Sequence, residues 1–326
     1  MYILTGGAGF IGSVTLKTLN ENGITDILLV DNLRDSAKWK NLVGKSFADY
    51  IDKNSFLKLI DENKLLPSVK AIIHLGACTS TVERNAEYMM QNNYQYSKRL
   101  CRFALDNDIR FIYASSAATY GNGHKGFSDE HSNLQNLAPL NIYAYSKHAF
   151  DLWLLQNNLL DKVSGIKFFN VFGPNEYHKG EMTSVIFKSY QQILETGAVK
   201  LFKSHKPDYR DGEQKRDFIY VKDCAKVIFW LLENQSVTGI FNLGTGTART
   251  WNDLVGAVFS ALNRPPEVNY IDMPINVQKH YQYFTEADMK KLTLHGLPIK
   301  FTPLENAISD YVAYLASSAE DTHRHV

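Results

Sequence analysis

The sequence predicts an α/β protein: a doubly wound parallel sheet with a smaller lobe drawn mostly from the C-terminal part. Three observations carry this. Short, near-continuously apolar runs alternate with longer segments of helical periodicity, as happens when strands are covered on both faces. A glycine-rich turn closes the first of these runs. At 326 residues, the chain exceeds the size at which single cores usually stop growing, so two lobes are expected.

Tyr2-Ile3-Leu4 is the first run, followed by Thr5-Gly6-Gly7-Ala8-Gly9-Phe10-Ile11-Gly12 and a helical pattern through Leu19. Strand, glycine turn and helix in this order bring helix N-terminal N–H groups close to a pyrophosphate. The spacing is G-x-x-G-x-x-G. Asp26 to Asp31 is a second buried strand. Its terminal carboxylate falls about 20 positions beyond the loop, where an adenosine ribose would meet it; capping the next turn is the alternative role. Asn32, Arg34 and Lys38 come next. Polar and basic groups there suit a 2′-phosphate and favour NADP, with NAD left open and an ordinary solvated loop as the plainer reading.

Further buried strands are expected over 69–75, 109–114 and 166–171, with the longest helical pattern at 85–105. Right-handed crossovers between them place ligands at the strands' carboxyl ends. Leu75, Gly76-Ala77-Cys78-Thr79, Ser115-Ser116 and Asn170-Val171 fall at such ends. Residues 175–216 mix glycine, proline, lysine and aromatics, and no strand–helix alternation is read there. Arg216 to Asp223 leads into a helix, and 239–244 reads as another strand. The sheet unit is therefore expected to comprise 1–171 and about 217–244. The smaller lobe would take about 172–216 and 245–320, with a disordered tail at 321–326.

Composition narrows the classes. With 35 basic and 34 acidic residues the net charge is +1, so no global field recruits nucleic acid or an anionic membrane. Cys78, Cys101 and Cys224 lack Cys-x-x-Cys spacing, and the ten histidines form no ligand-spaced cluster, so neither a disulfide framework nor a metal is expected. The absence of a basic leader and of a run of about 18 apolar residues suggests a cytoplasmic protein.

Chemistry concentrates at Asn141-Ile142-Tyr143-Ala144-Tyr145-Ser146-Lys147. On a helix Tyr143 and Lys147 share one face at i and i+4, and a nearby ammonium favours phenolate, pulling the tyrosine pKa down. Tyr145 points elsewhere. A solvated helix face is the bland alternative, set against the serine-rich strand end upstream and the glycine loop.

With the glycine turn, Ser115-Ser116, Tyr143 to Lys147 and Arg216-Asp217-Phe218 in the right order, the chain resembles the extended short-chain dehydrogenase/reductase family over nearly its whole length. The resemblance implies a Rossmann-type fold and a catalytic Tyr143 with Lys147 and Ser116. It also carries cofactor contacts onto Gly6, Gly9, Phe10, Ile11, Gly12, Asp31, Asn32, Lys38, Lys53, Leu75 to Thr79, Asn92, Lys147 and Val171. A narrower resemblance, to the family's ADP-heptose 6-epimerase branch, lies in Asp31-Asn32-Leu33, Asn92 to Lys98 and Asn170 to Gly180.

That branch acts in the cytosol to supply a heptose of bacterial lipopolysaccharide. The likeness implies Lys179, in His178-Lys179-Gly180, as a second acid/base; a surface lysine in a loop is the alternative. It further implies ADP-heptose as substrate, contacts at Ser116, Asn170, Glu181, Lys188, Phe202, Lys203, Ser204, Arg216 and Tyr281, and a homo-oligomer, a pentamer being one form it could take. The chain departs from the pattern at Glu181, where a small residue is usual, at Lys188, where a histidine is, and in a longer segment at 203–214. Competing readings are a UDP-hexose 4-epimerase and a non-catalytic dinucleotide sensor. Ala117-Ala118, where a 4,6-dehydratase carries Asp-Glu, argues against elimination.

Overall fold

A computed structural model describes residues 1–62, 68–278 and 281–323. Strands β1 (Tyr2–Thr5), β2 (Ile27–Asp31), β3 (Asp49–Asp52), β4 (Ala71–His74), β5 (Arg110–Ser116), β6 (Ser164–Phe168), β7 (Asn170–Phe172), β8 (Val199–Phe202), β9 (Lys215–Tyr220), β10 (Gly239–Leu243), β11 (Ala248–Thr250) and β12 (Val268–Ile271) make three sheets. The largest has seven strands in the order β10-β6-β5-β4-β1-β2-β3, and every pairing in it is parallel. The chain winds outward in both directions from the β1–β4 pair. That reversal opens a crevice beyond the carboxyl ends of these two strands.

Neighbouring residues on a strand point to opposite faces, and each face has its own core. Ile3, Leu28, Ile72 and Phe111 pack against helices Lys53–Asp61, Tyr96–Asp106 and Ile142–Gln156. Leu4, Leu29, Ile73 and Ile112 pack against helices Phe10–Glu21 and Val221–Glu233. A further cluster gathers Ile186, Tyr190, Leu201, Leu254, Val258 and Ile308. It brings together the C-terminal helix Leu304–His323, helices Val185–Thr196 and Trp251–Ala261, and strand β8.

The structure differs from the sequence reading in three places. Residues 175–216, read as lacking regular alternation, contain the helix Val185–Thr196 and strand β8; Ser184 caps that helix through the Phe187 N–H at 3.2 Å. The run at 166–171 is split, β6 ending at Phe168 while β7 pairs with β9 in a small sheet β11-β9-β7. The helical stretch at 85–105 contains a π-helical segment, Met90–Gln95. Of the tail expected at 321–326, the first three residues continue the last helix, and 324–326 lie outside the described residues. No helix among the described residues is long and apolar enough to cross a membrane.

An ion pair with no exposure on either side chain, Lys167 to Asp151 at 2.6 Å, pins the helix that carries Tyr143 to the sheet. Asp151 also accepts from the hydroxyls of Tyr113 and Ser115, both at 2.8 Å, and Lys167 donates to Thr119 Oγ1 at 2.7 Å. Removing one member strands a buried charge. Lys167→Met should cost about 3–5 kcal/mol, read as a lowered urea midpoint at unchanged slope. The double variant Asp151→Leu/Lys167→Met should recover much of that loss.

Candidate active site

Beyond the β1–β4 pair lies a cavity of about 780 Å³, large for a small-molecule site. Its floor is the glycine turn. Gly6 has φ +71°, and a Cβ there would stand 2.6 Å from Gly76 N; one on Gly12 would stand 2.0 Å from the Gly6 carbonyl oxygen. Only bare backbone fits, and it leaves the start of helix Phe10–Glu21 facing the cavity through Gly9, Phe10, Ile11 and Gly12. Leu75, Gly76, Ala77, Cys78 and Thr79 line the opposite wall, with Asn92 and Val171.

At one end the Asp31 carboxylate accepts from Ala8 N at 2.8 Å and from Asn32 N at 2.7 Å. Lys38 Nζ lies 2.6 Å from Oδ1, the oxygen that Asn32 N also meets. Asn32, Arg34, Lys38 and Lys53 all line this end, and the Lys53 ammonium is bonded to the Asn92 side chain. A bare-backbone cradle with a carboxylate and several cations beside it fits a dinucleotide phosphate and ribose.

At the other end stand Ser116, Tyr143 and Lys147. Asn141 caps the helix through the Ala144 N–H at 2.8 Å, fixing where Tyr143 emerges. Tyr143 and Ser116 stand side by side in the lining. The expected depression of the Tyr143 pKa is not found. Burial raises it, with the neighbouring Ser116 hydroxyl opposing, and Lys147 Nζ donates to the Ala114 carbonyl at 2.8 Å. Burial in turn pulls the Lys147 ammonium down to about 8. Spacing alone could not reveal this, because desolvation and a competing carbonyl enter only with the fold.

Lys179 lines the same cavity on the short 3₁₀ segment Tyr177–Met182, its ammonium 5.1 Å above the Phe10 ring. Burial lowers its pKa, partly offset by Glu176. Glu176 is itself fully buried. It accepts from Ser184 Oγ at 2.6 Å, the Tyr311 hydroxyl of the last helix lies near enough to favour its charged form, and Tyr314 of that helix donates to Asn175 Oδ1 at 3.0 Å.

Asn170 also lines the cavity, whereas Glu181, Lys188, Phe202, Lys203, Ser204, Arg216 and Tyr281 stand outside its lining. Glu181 and Lys188 pair loosely at 3.8 Å with the carboxylate side chain fully exposed, and Lys203 pairs with Asp272 at 3.0 Å. Arg216 is buried between the rings of Trp251 and Tyr281, at 5.7 and 5.4 Å. Its neighbours Trp251 and Gln282 do reach the cavity; the sequence reading passed over both.

It also passed over Asn93. This fully buried side chain bonds Cys78 N at 2.8 Å, Cys78 O at 2.9 Å and Ser146 Oγ at 3.0 Å, tying the cavity wall to the Tyr143 helix. Its signal was the π-helical turn, which no hydrophobic period announces.

Comparison with known proteins agrees with this geometry. Residues 2–244 match the NAD dependent epimerase/dehydratase family. An ADP-L-glycero-D-manno-heptose-6-epimerase of Nitratidesulfovibrio vulgaris strain DP4 is 54% identical over 98% of this chain and 99% of its own, and one of Fusobacterium nucleatum is 46% identical over 99% and 100%. Among solved structures, the ADP-L-glycero-D-manno-heptose-6-epimerase of Helicobacter pylori superposes with a TM-score of 0.81 at 30% identity, covering 97% of this chain and 96% of its own. The glycine turn, the Tyr143–Lys147 helix and the doubly wound sheet are thus one shared inheritance, and the chain belongs to the NAD dependent epimerase/dehydratase family.

Proposed function

We propose that this chain inverts C6″ of ADP-D-glycero-D-manno-heptose to give ADP-L-glycero-D-manno-heptose, using bound NADP, in the supply of lipopolysaccharide core heptose. The observation that carries this is the pair Tyr143 and Lys179 lining one cavity, two separate proton carriers around one substrate space. Relatives called ADP-L-glycero-D-manno-heptose-6-epimerases at 54% and 46% identity support the substrate. The same resemblance favours a homo-oligomer, a pentamer being one form, acting in the cytoplasm. In this reading β8, β12 and the helices packed on them form the substrate lobe, and Arg216 with Tyr281 stands behind the Trp251 and Gln282 wall that meets the nucleotide sugar.

The hydrogen on C6″ is not acidic, so its removal as a proton faces a prohibitive barrier. When bound, the nicotinamide supplies a hydride acceptor for a transient oxidation and the donor for the return. The chain's own residues handle the proton and the orientation. One of Tyr143 and Lys179 takes the C6″ hydroxyl proton; after the ketone has turned, the other gives a proton to its oxygen. Burial suits Lys179 to this work, since it brings the neutral amine nearer to neutral pH. Ser116, beside Tyr143, would hold the same oxygen, and Lys147 would hold the nicotinamide ribose.

For NADP over NAD, the support is electrostatic. A lone acidic residue at the end of β2 repels a 2′-phosphate, but here Lys38 is in direct contact with the Asp31 carboxylate, and Arg34 and Lys53 line the same end. The net local charge tips positive.

Incubation with ADP-D-glycero-D-manno-heptose should yield the L-glycero epimer, resolved by NMR. Turnover of UDP-galactose with ADP-heptose untouched would instead make the chain a UDP-hexose 4-epimerase. Tyr143→Phe and Lys179→Met should each slow epimerisation by about 10²-fold or more while nucleotide binding persists; near wild-type turnover by Lys179→Met would return that residue to a surface role. In calorimetry, Lys38→Ala should weaken NADP more than NAD, and an equal loss for both would show that Lys38 does not read the 2′-phosphate.

A further inference from the structure

We propose that Asn41 is a positioning residue for Lys179: its amide joins the Lys179 segment to the glycine turn and so sets where the ammonium stands over the cavity. This rests on the reading of Lys179 as the second proton carrier. Asn41 lies on the 3₁₀ segment Ala37–Leu42, which also carries Lys38, and it is 2% exposed. Its Nδ2 donates to Ala8 O at 3.0 Å, within the glycine turn, and to Asn175 O at 3.2 Å, and it lies 3.4 Å from His178 Nδ1. One side chain therefore touches two segments far apart in the sequence.

Both accepting carbonyls demand an N–H donor, which fixes the amide orientation, and its Oδ1 is left buried without a partner. A buried acceptor without a partner is unfavourable, and what it is set against is the pair of carbonyls, one from each segment, that the same amide satisfies. Asn175 and His178 flank the turn that presents Lys179, and Asn175 stands at φ +75°, a left-handed conformation that has to be held by its surroundings. Asn175 Nδ2 also donates to Ser13 Oγ at 2.8 Å, so the turn is held from the helix that begins at the glycine loop as well. Without the Asn41 amide, the lysine keeps its tether but loses its register against the cofactor turn. A misplacement of about 1 Å costs on the order of 10²-fold in a proton-transfer geometry.

The test uses Asn41→Leu, similar in size and lacking the donor, and Asn41→Met, which also lacks the donor and fills the site differently should the first variant fold poorly. Lysine side chains of the whole protein, methylated with ¹³C, are titrated by NMR. In the wild type Lys179 should titrate below the ordinary 10.5; in either variant it should move up towards that value while Lys53, also lowered by burial, stays put. Epimerisation kcat should fall about tenfold or more with KM and retained nucleotide nearly unchanged. An unshifted Lys179 titration, or losses of kcat, KM and nucleotide together, would overturn the proposal. If Lys179→Met itself epimerises normally, the assignment of that lysine fails, and the titration still decides whether Asn41 holds it.

Discussion

Everything at the site depends on two parallel strand ends approaching more closely than any side chain permits. Gly6 and Gly76 allow it, and a chain of hydrogen bonds holds it. Gly76 N donates to Thr5 Oγ1 at 3.2 Å, Thr5 Oγ1 meets His74 Nδ1 at 2.6 Å, and His74 Nε2 meets Ser97 Oγ at 2.9 Å. The Ser97 hydroxyl in turn donates to the Asn93 carbonyl. These contacts suit a neutral His74 with its proton on Nε2, and burial pushes its pKa down to about 3. The strand ends, the π-helical turn and, through Asn93, the Tyr143 helix are thus set in one register by a single uncharged relay.

Lys147 and Lys167 are buried and Lys179 is half-buried, and the fold treats each differently. Lys167 is matched by the Asp151 carboxylate and the Thr119 hydroxyl, and Asp151 by the hydroxyls of Tyr113 and Ser115, so it is a structural charge. Lys147 has a carbonyl for its nearest partner and Lys179 an aromatic face, and in both cases burial favours the neutral form. An ammonium without a matched anion gives up its proton more readily. The two incompletely paired cations face the cavity and the paired one does not.

Much of this was legible in the sequence because the relevant signals are local. The glycine turn, the apolar strands and Tyr143 with Lys147 each depend on residues within a few positions of one another, and the cavity does collect nearly all the residues assigned to the cofactor. What escaped depends on distant contacts. Helix Val185–Thr196 looked irregular because its apolar face is read only against Leu254 and Ile308, which lie far along the chain. Asn93 looked like any polar residue on a helix until the π-helical turn aimed it at Cys78 and Ser146. The direction of the Tyr143 shift was misjudged for a related reason: the sequence supplies the neighbouring charge, while only the fold supplies the burial.

The last helix has a further consequence, for the order in which the molecule becomes complete. Tyr311 and Tyr314 reach back to Glu176 and Asn175, so the segment presenting Lys179 is braced by residues made more than a hundred positions later. A ribosome adding about 5–20 residues per second needs on the order of ten seconds to cover that distance. Until then the segment presenting Lys179 lacks the last helix against which it is held, and the central sheet itself is completed only when β10 and helix Val221–Glu233 have been made.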